Sequence, residues 1–204
     1  MHPNPALRKR SKDDHLAFAR ARGFGVLAVS ASDGPLVSHV PFLLNENATQ
    51  ADLHLVRSNP ICRLGRADAI IAVSGPDGYV SPDWYGMSDQ VPTWNYVAVH
   101  IRGTLNPLPQ SAMRDMLARQ SAAYEMQLLP KSPWTLDKMS DDALDRMLRM
   151  IVPFRLTISD VQGTWKLGQN KSRNARFAAA KALHLGIGQE LTRLSEMMKD
   201  AGDE

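Results

Sequence analysis

The stretch VPTWNYVAVHIRG, residues 91 to 103, predicts a β-strand, because it is rich in β-branched and aromatic residues and ends in a glycine. Side chains of a strand alternate between its two faces. One face suits a hydrophobic core and carries Asn95, Val97, Val99 and Ile101. The other face combines rings with a guanidinium and carries Trp94, Tyr96, Ala98, His100 and Arg102. A face of this kind is unusual for contact with water alone.

The segments around this strand predict a β-meander. Residues 24–31 and 36–44 flank a turn in which Asp33 and Gly34 supply hairpin chemistry. Further strands are predicted at 52–58, 69–75 and 153–161, the last with clean alternation of apolar and polar residues. A long connection, PDGYVSPDWYGMSDQ, leads into the strand at 91 to 103. Six short strands with local connections are typical of a small antiparallel β-barrel.

Helices are predicted before, between and after these strands. A helix at 11–22 begins with a capping box, Ser11 to Asp14, and stops at Gly23. Two more are predicted at 110–127 and 140–151, and two in the tail at 174–199, separated at Gly186 and Gly188. The fold class is therefore mainly β with α, a small antiparallel barrel with peripheral helices.

Composition narrows the class of protein. The 204 residues are 44% hydrophobic and 22% charged, which is typical of a folded globular chain. A single cysteine, Cys62, cannot form an internal disulfide, so the cytoplasm is the expected compartment. We expect no membrane span and no secretory signal, because no apolar segment follows the basic N-terminus and none is long enough to cross a bilayer.

Charge and motifs exclude several kinds of site. The net charge of +3 does not by itself indicate nucleic-acid binding. Residues 166 to 181 hold five basic residues and no acid, which suits either a phosphate ligand or a solvated helix face. GFGVLA at 23–28 matches a dinucleotide fingerprint but lies within a strand rather than before a helix. The histidines lack metal-ligand spacing, so no metal site is expected.

Four segments together predict a site for a planar, phosphorylated ligand. SHVPFLL places Pro41 inside a strand, where it leaves backbone groups free. LHLVRSNP gathers Arg57, Ser58 and Asn59 as donors at a strand end. YVSPDWY with VPTWNY supplies aromatic surfaces, and GTWKLGQNKS adds a polar segment after the last strand. Each segment alone also fits a purely structural role.

In order and spacing, VSHVPFLL, VRSNP, GPDGYVSPDWY, VPTWNYVAV and GTWKLGQNKS resemble the PaiB-type family of FMN-binding negative transcriptional regulators. The resemblance covers most of residues 1–172. It implies the FMN-binding split barrel shared with pyridoxamine-phosphate-oxidase-like flavoproteins, which form homodimers and bind FMN at the subunit interface. It also implies a domain at 1–172 with a helical insertion at about 108–151, followed by a C-terminal helical extension at 173–204.

The resemblance assigns cofactor-binding residues from the four segments. They are Ser38, His39, Val40, Pro41, Arg57, Ser58, Asn59, Trp94, Tyr96, Trp165, Lys166, Gln169 and Lys171. Arg57 and Lys171 are the candidates for the FMN phosphate. No catalytic residue can be named, because the flavin itself carries the hydride chemistry.

Two functions are consistent with the sequence. The first is an FMN-binding homodimeric regulator or flavin-linked sensor, and the second is an oxidoreductase that uses NAD(P)H to reduce a small molecule. Direct DNA binding by a helix-turn-helix in the tail fits poorly, because Glu190 and Glu196 offset Arg193 and Lys199 on its second helix. We therefore expect homodimerisation and FMN binding, with no clear DNA-binding motif.

Overall fold

The computed structural model describes residues 1–202, and by their contacts they divide into two compact units. Unit 1 contains Met1–His15, Ser74–His100 and the chain from Gln162 onward. Unit 2 contains Leu16–Val73 and Ile101–Val161. Three long strands run through both units: β4 (Ala67–Val80), β5 (Thr93–Pro107) and β6 (Ile151–Lys166).

Unit 2 is a closed six-stranded antiparallel barrel. Its remaining strands are β1 (Phe24–Val29), β2 (Leu36–Leu44) and β3 (Gln50–Val56). The strand order is β1-β2-β3-β6-β5-β4, and β1 also pairs with β4 from Val26↔Ala72 to Val29↔Ala69. This last pairing closes the sheet and leaves the barrel without free edges.

Side chains alternate between the two faces of these strands, and those on the inner face fill the barrel. Fully buried side chains come from every strand and include Leu27, Phe42, Leu53, Ile71, Ile101 and Phe154. Gly103 permits the tightest approach, since a Cβ atom there would overlap the carbonyl of Thr157. Unit 2 also contains most of α1 (Lys12–Arg22), all of α2 (Met113–Glu125) and all of α3 (Asp141–Arg149).

An ion-pair cluster joins α2 to the strands of unit 2. Asp52 on β3 is 5% exposed, and its carboxylate accepts hydrogen bonds from Arg155 on β6 and Arg119 on α2. Burial opposes ionisation of Asp52, but these two guanidinium groups hold its pKa below the ordinary value. The Tyr124 hydroxyl adds a second link by donating to the Gly23 carbonyl at 2.6 Å.

Unit 1 packs two C-terminal helices on the ends of the long strands. These helices are α4 (Arg173–Ala182) and α5 (Leu191–Asp200), and a two-residue strand β7 (Gly188–Gln189) lies between them and pairs with β4. Leu183, Leu191 and Leu194 surround Gly78 of β4. The helices are also joined directly, because the Arg176 Nε atom donates to the Met198 carbonyl at 2.9 Å.

The predicted fold class is confirmed: the chain is mainly β with α, of the split-barrel type. The capping box is present, with Asp14 N–H donating to the Ser11 hydroxyl and Ser11 N–H donating to Asp14. The strand predicted at 69–75 is too short, because β4 continues to Val80. The extension through Pro76 depends on β7, which hydrogen-bonds near Asp77 from more than 100 residues away.

Candidate functional site

In unit 2 the predicted donor residues Arg57, Ser58 and Asn59 directly follow the end of β3. Asn59 caps a 3₁₀ helix at Pro60–Arg63, where its Oδ1 atom accepts from the Ile61 N–H at 3.0 Å. Its Nδ2 atom donates to the Ser38 hydroxyl on β2 at 3.2 Å. Ser58 lies beside Asn59 and is exposed. The structure thus brings Ser38 and Asn59 together, although they are 21 residues apart in sequence.

Arg57 leaves the same strand end in an exposed position. Its Nε atom donates to the Arg149 carbonyl at 2.7 Å, and its Nη2 atom donates to Oε1 of Gln110 and to the Ile151 carbonyl. All three acceptors are neutral. No ion pair involves Arg57 in the part of the chain that the structure describes, so its positive charge stays available to an anion.

The predicted residues on β2 divide between its two faces. Val40 is 1% exposed and contributes to the core, so only its backbone can reach a ligand. His39 is exposed, and its ring stacks on Phe24 with 6.5 Å between ring centroids. Pro41 lies on the same face as His39 and is half-buried. Phe24 and Val37 are each more than half exposed, so this face of β1 and β2 presents apolar surface.

In unit 1, Trp165 near the end of β6 is held in a fixed orientation. Its Nε1 atom donates to Nδ1 of His15 at 3.1 Å, and the Arg10 guanidinium lies 5.4 Å from the indole centroid. The His15 ring occupies the space that a side chain at Gly163 would need. Burial lowers the pKa of His15, while Asp14 opposes that change. His15 has no local sequence signal for this role.

Gln169 holds the loop that follows β6. Its Nε2 atom donates to the Trp165 carbonyl at 2.7 Å, and its Oε1 atom accepts from the Leu167 N–H at 2.8 Å. Both ends of the amide are therefore bonded within the loop. The side chain fixes the turn that carries Trp165 and Lys171.

Lys166 and Lys171 lie in the same segment and bond to neighbouring positions. The Lys166 ammonium donates to the Thr93 hydroxyl, and the Lys171 ammonium donates to Oε1 of Gln90. Lys171 also lies 5.3 Å from the Tyr85 ring centroid. Burial lowers the pKa of Lys166. Gln90 and Thr93 were not predicted as site residues: Gln90 ends the long connection before residues 91–103, and Thr93 lies near the start of that strand segment.

The two aromatic candidates on β5 lie on one strand face, as alternation predicts. Trp94 is 46% exposed and makes an edge-to-face contact with Tyr79, with ring centroids 6.3 Å apart. Tyr96 is half-buried. The opposite face is buried, from Asn95 at 1% exposed to Ile101 at 0%. The predicted division of this strand into a core face and a partly exposed aromatic face is confirmed.

Each unit also contains a cavity. The cavity in unit 1 has a volume of about 320 Å³ and is lined by Trp165, Gln169, Arg10 and residues at both ends of the chain. The cavity in unit 2 has a volume of about 400 Å³ and is lined by Arg102, Ser30, Thr104, Ser159 and their neighbours. The second cavity contains none of the predicted cofactor residues.

The residues that the structure brings together at the end of β3 suit FMN, the group that the fold implies. FMN requires a cationic and hydroxyl-bearing cluster for its phosphate, together with apolar or aromatic surface for its ring system. In unit 2, Ser38, Arg57 and Asn59 supply hydroxyl, cationic and amide donors for the phosphate. The exposed Phe24 adds apolar surface for the ring system. The residues present fit FMN. Within residues 1–202 there is no metal-binding cluster and no helix that is long and apolar enough to span a membrane.

The fold and this donor set define a split-barrel protein of the flavin-binding class. The family model "Putative FMN-binding domain" matches residues 1–160, and the chain belongs to this family. The predicted family and the predicted cofactor, FMN, are both confirmed at this level.

A sequence relative supports the family assignment, and two solved structures share the fold. The chain is 28% identical over 187 residues to protease synthase and sporulation protein PAI 2 of Bacillus subtilis, covering 90% of this chain and 89% of that protein. The flavocytochrome Anf3 from Azotobacter vinelandii superposes with a TM-score of 0.58 at 13% identity, covering 81% of this chain and 72% of the other. The FAD and heme binding protein from Mycobacterium smegmatis superposes with a TM-score of 0.56 at 15% identity, covering 79% and 74%. The two structures establish a shared fold.

Proposed function

We propose that the protein is a cytoplasmic FMN-binding homodimer that acts as a negative transcriptional regulator or a flavin-linked sensor. The observation that carries the proposal is that the Asn59 amide donates to the Ser38 hydroxyl, while Arg57, two residues earlier in the chain, has a guanidinium that pairs with no acid among residues 1–202. Membership of the FMN-binding family supports the identity of the ligand. The regulatory role rests on the resemblance to PaiB-type proteins and on the relative in Bacillus subtilis.

Ser38, Arg57 and Asn59 have distinct roles toward FMN. Arg57 supplies the positive charge for the phosphate, and the Ser38 hydroxyl and Asn59 amide supply hydrogen bonds. The interaction between Ser38 and Asn59 holds both groups in place before the ligand arrives, which reduces the entropic cost of binding. When bound, FMN supplies one- and two-electron redox chemistry. The protein then contributes binding and orientation.

Exposed apolar surface supports the homodimer. In unit 2, Phe24, Val37 and Val56 are between 54% and 57% exposed, and in unit 1 Trp94 and Val91 are 46% and 74% exposed. Exposed apolar patches on a small domain are typical of subunit and ligand contacts. We propose an interface that includes the strand at 91–103, with Trp165 and the residues after it contributed to the partner subunit's FMN site.

The geometry of α5 does not favour DNA binding by the tail. Arg193, one of two cations on this helix, is paired with Glu196 at 3.0 Å, so its charge is partly neutralised. A recognition helix needs net positive charge toward phosphates. Any regulatory contact with DNA would therefore use another surface.

One set of measurements separates regulator from oxidoreductase. Light scattering at micromolar concentration is expected to report a dimer, and a monomer would contradict the proposed interface. The FMN-loaded protein is expected to oxidise NADH or NADPH no faster than free FMN and to retain a specific DNA fragment. Rapid NAD(P)H oxidation with a small-molecule acceptor and no DNA retention would instead establish the oxidoreductase.

A further inference from the structure

The cavity of unit 2 contains none of the residues assigned to FMN. Its volume is about 400 Å³, and part of its lining consists of small residues that leave this space open: Ala28 on β1, Ala69 on β4 and Gly103 on β5. Larger apolar side chains in the lining are those of Val29, Pro35 and Ile70. The rest of the lining is polar or charged, so the cavity suits a ligand with both apolar and charged parts.

Two opposite charges line this cavity. Arg102 on β5 and Asp68 on β4 are both exposed, and they do not form an ion pair with each other. Within residues 1–202, no group forms a hydrogen bond or an ion pair with the Arg102 guanidinium or with the Asp68 carboxylate. A ligand that carries one negative and one positive group can therefore pair with both residues at once.

Each of the two charged residues has a serine beside it. The Ser30 N–H donates to the Asp68 carbonyl at 3.2 Å, next to the last pair of the β1–β4 ladder. The Ser159 hydroxyl donates to the Arg102 carbonyl at 3.4 Å. Both serines line the cavity, and Thr104 on β5 adds a third hydroxyl. Hydroxyl groups accept hydrogen bonds from ammonium groups and donate them to carboxylates, so these side chains can support either end of such a ligand.

We propose that this cavity binds a free amino acid with an apolar side chain. Arg102 pairs with the α-carboxylate, for which the planar guanidinium is well suited, and Asp68 pairs with the α-ammonium. The side chain of the ligand packs on the apolar part of the lining, at Val29, Pro35 and Ile70. This site is separate from the residues assigned to FMN, so the inference does not rest on the proposed function.

Three related ligands test whether the site recognises both charges. L-Leucine carries both groups, isocaproate lacks the ammonium, and isoamylamine lacks the carboxylate. Calorimetric titration of the full chain at pH 7.5 is expected to show saturable binding of L-leucine. Each analogue is expected to bind at least about tenfold more weakly, because it has lost one charge-assisted interaction at an exposed residue. Absence of saturable L-leucine binding, or equal binding of all three ligands, would overturn the proposal.

The same titration also tests whether the site stays open in the dimer. Arg102 lies near the end of the stretch 91–103, which is proposed for the subunit interface. A dimer that covered Arg102 would exclude L-leucine, and the proposal would then be wrong. Binding of L-leucine by the dimer would show that the cavity remains accessible.

Variants that remove one charge assign each group of the ligand to one residue. In Arg102→Gln, L-leucine is expected to bind no better than isoamylamine, because the carboxylate has lost its partner. In Asp68→Asn, L-leucine is expected to bind no better than isocaproate, because the ammonium has lost its partner. Arg66→Gln and Asp33→Asn remove exposed charges that do not line the cavity, and both are expected to bind L-leucine as the wild type does. Unchanged L-leucine affinity in Arg102→Gln and Asp68→Asn would refute the assignment.

Flavin titration separates this site from the proposed function. Arg102→Gln and Asp68→Asn are expected to bind FMN as tightly as the wild type, and thermal melts check that both variants fold. If Arg102→Gln weakens FMN as much as it weakens L-leucine, the cavity belongs to the flavin site and the proposal is wrong. If the wild type binds L-leucine but no FMN, the proposed function fails and the amino-acid site stands.

Discussion

The indole Nε1 atom of Trp165 donates a hydrogen bond to Nδ1 of His15, with 3.1 Å between the two nitrogen atoms. The bond joins β6 to α1 within unit 1, and the two rings stack with centroids 6.3 Å apart. Nδ1 can accept only when it carries no proton, so the interaction requires the neutral imidazole. The orientation of Trp165 is therefore linked to the charge state of a buried histidine.

This linkage predicts a loss of stability in mild acid. Burial lowers the pKa of His15 in the folded state, so below about pH 6.5 the unfolded chain takes up a proton before the folded chain does. The free energy of unfolding should therefore fall as the pH decreases from 7.5 to 5.5. Urea unfolding at the two pH values measures this change. His54, whose pKa is also lowered by burial, contributes to the same effect.

The variant His15→Gln separates the contribution of His15 from that of His54. Its loss of stability between pH 7.5 and 5.5 should be smaller than in the wild type, because glutamine does not titrate. An unchanged pH dependence would show that His15 does not carry the effect.

Removing the charge of Asp52 should weaken unit 2. Arg155 contacts this carboxylate through Nε at 2.6 Å and Nη2 at 3.0 Å, and Arg119 contacts it at 2.9 Å. Asp52→Asn leaves two guanidinium groups without their acid and should lower the free energy of unfolding by about 2 to 3 kcal/mol. The loss should be smaller than for a fully buried ion pair, because both arginines are partly exposed. Chemical unfolding at pH 7 measures the loss.

The control for Asp52 is Asp115, which pairs with Arg119 on the surface of α2. Asp115→Asn should change stability by less than about 0.5 kcal/mol, because the carboxylate is 72% exposed. The stabilisation from Asp52 should disappear as the pH falls below about 4, since its folded pKa lies below the unfolded value. Equal effects for the two variants would argue against the buried cluster.

The close approach of β5 and β6 predicts that Gly103 does not tolerate a side chain. An added Cβ atom would overlap the carbonyl of Thr157 on β6, and neither backbone can move without breaking the sheet. Gly103→Ala should cost about 3 kcal/mol or more in the free energy of unfolding. Gly202→Ala, where no atom lies within 4 Å of the new Cβ, should be neutral. A fully stable Gly103→Ala protein would contradict the close approach of β5 and β6.

Much of the fold follows from local pattern. The hairpin turn at Asp33 and Gly34, between two apolar runs, identified β2 with both ends correct, and the capping box at Ser11 placed α1 within one residue. The extension of β4 through Pro76 and the strand β7 could not be predicted locally. Their hydrogen bonds join Asp77 and Gly78 to Gln189 and Gly188, and no short sequence window contains both partners.

The sequence predicted which types of residue form the candidate site, but it predicted few of the contacts between them. The donors of VRSNP and the aromatic face of β5 are visible in the sequence, because they depend on adjacent or alternating positions. The acceptors of Lys166 and Lys171, namely Thr93 and Gln90, are set by tertiary packing. The same is true of His15, which meets Trp165 across 150 residues of chain.

Titration of the wild type and of Arg57→Ala with FMN and with riboflavin measures whether Arg57 holds the FMN phosphate. Fluorescence titration should show that the wild type binds FMN more tightly than riboflavin, because only FMN has the phosphate. Arg57→Ala should weaken FMN by about one to two orders of magnitude and leave riboflavin nearly unchanged, since a charge-assisted hydrogen bond contributes roughly 1.5 to 3 kcal/mol. Equal affinity of the wild type for the two flavins, or no binding of either, would contradict the account.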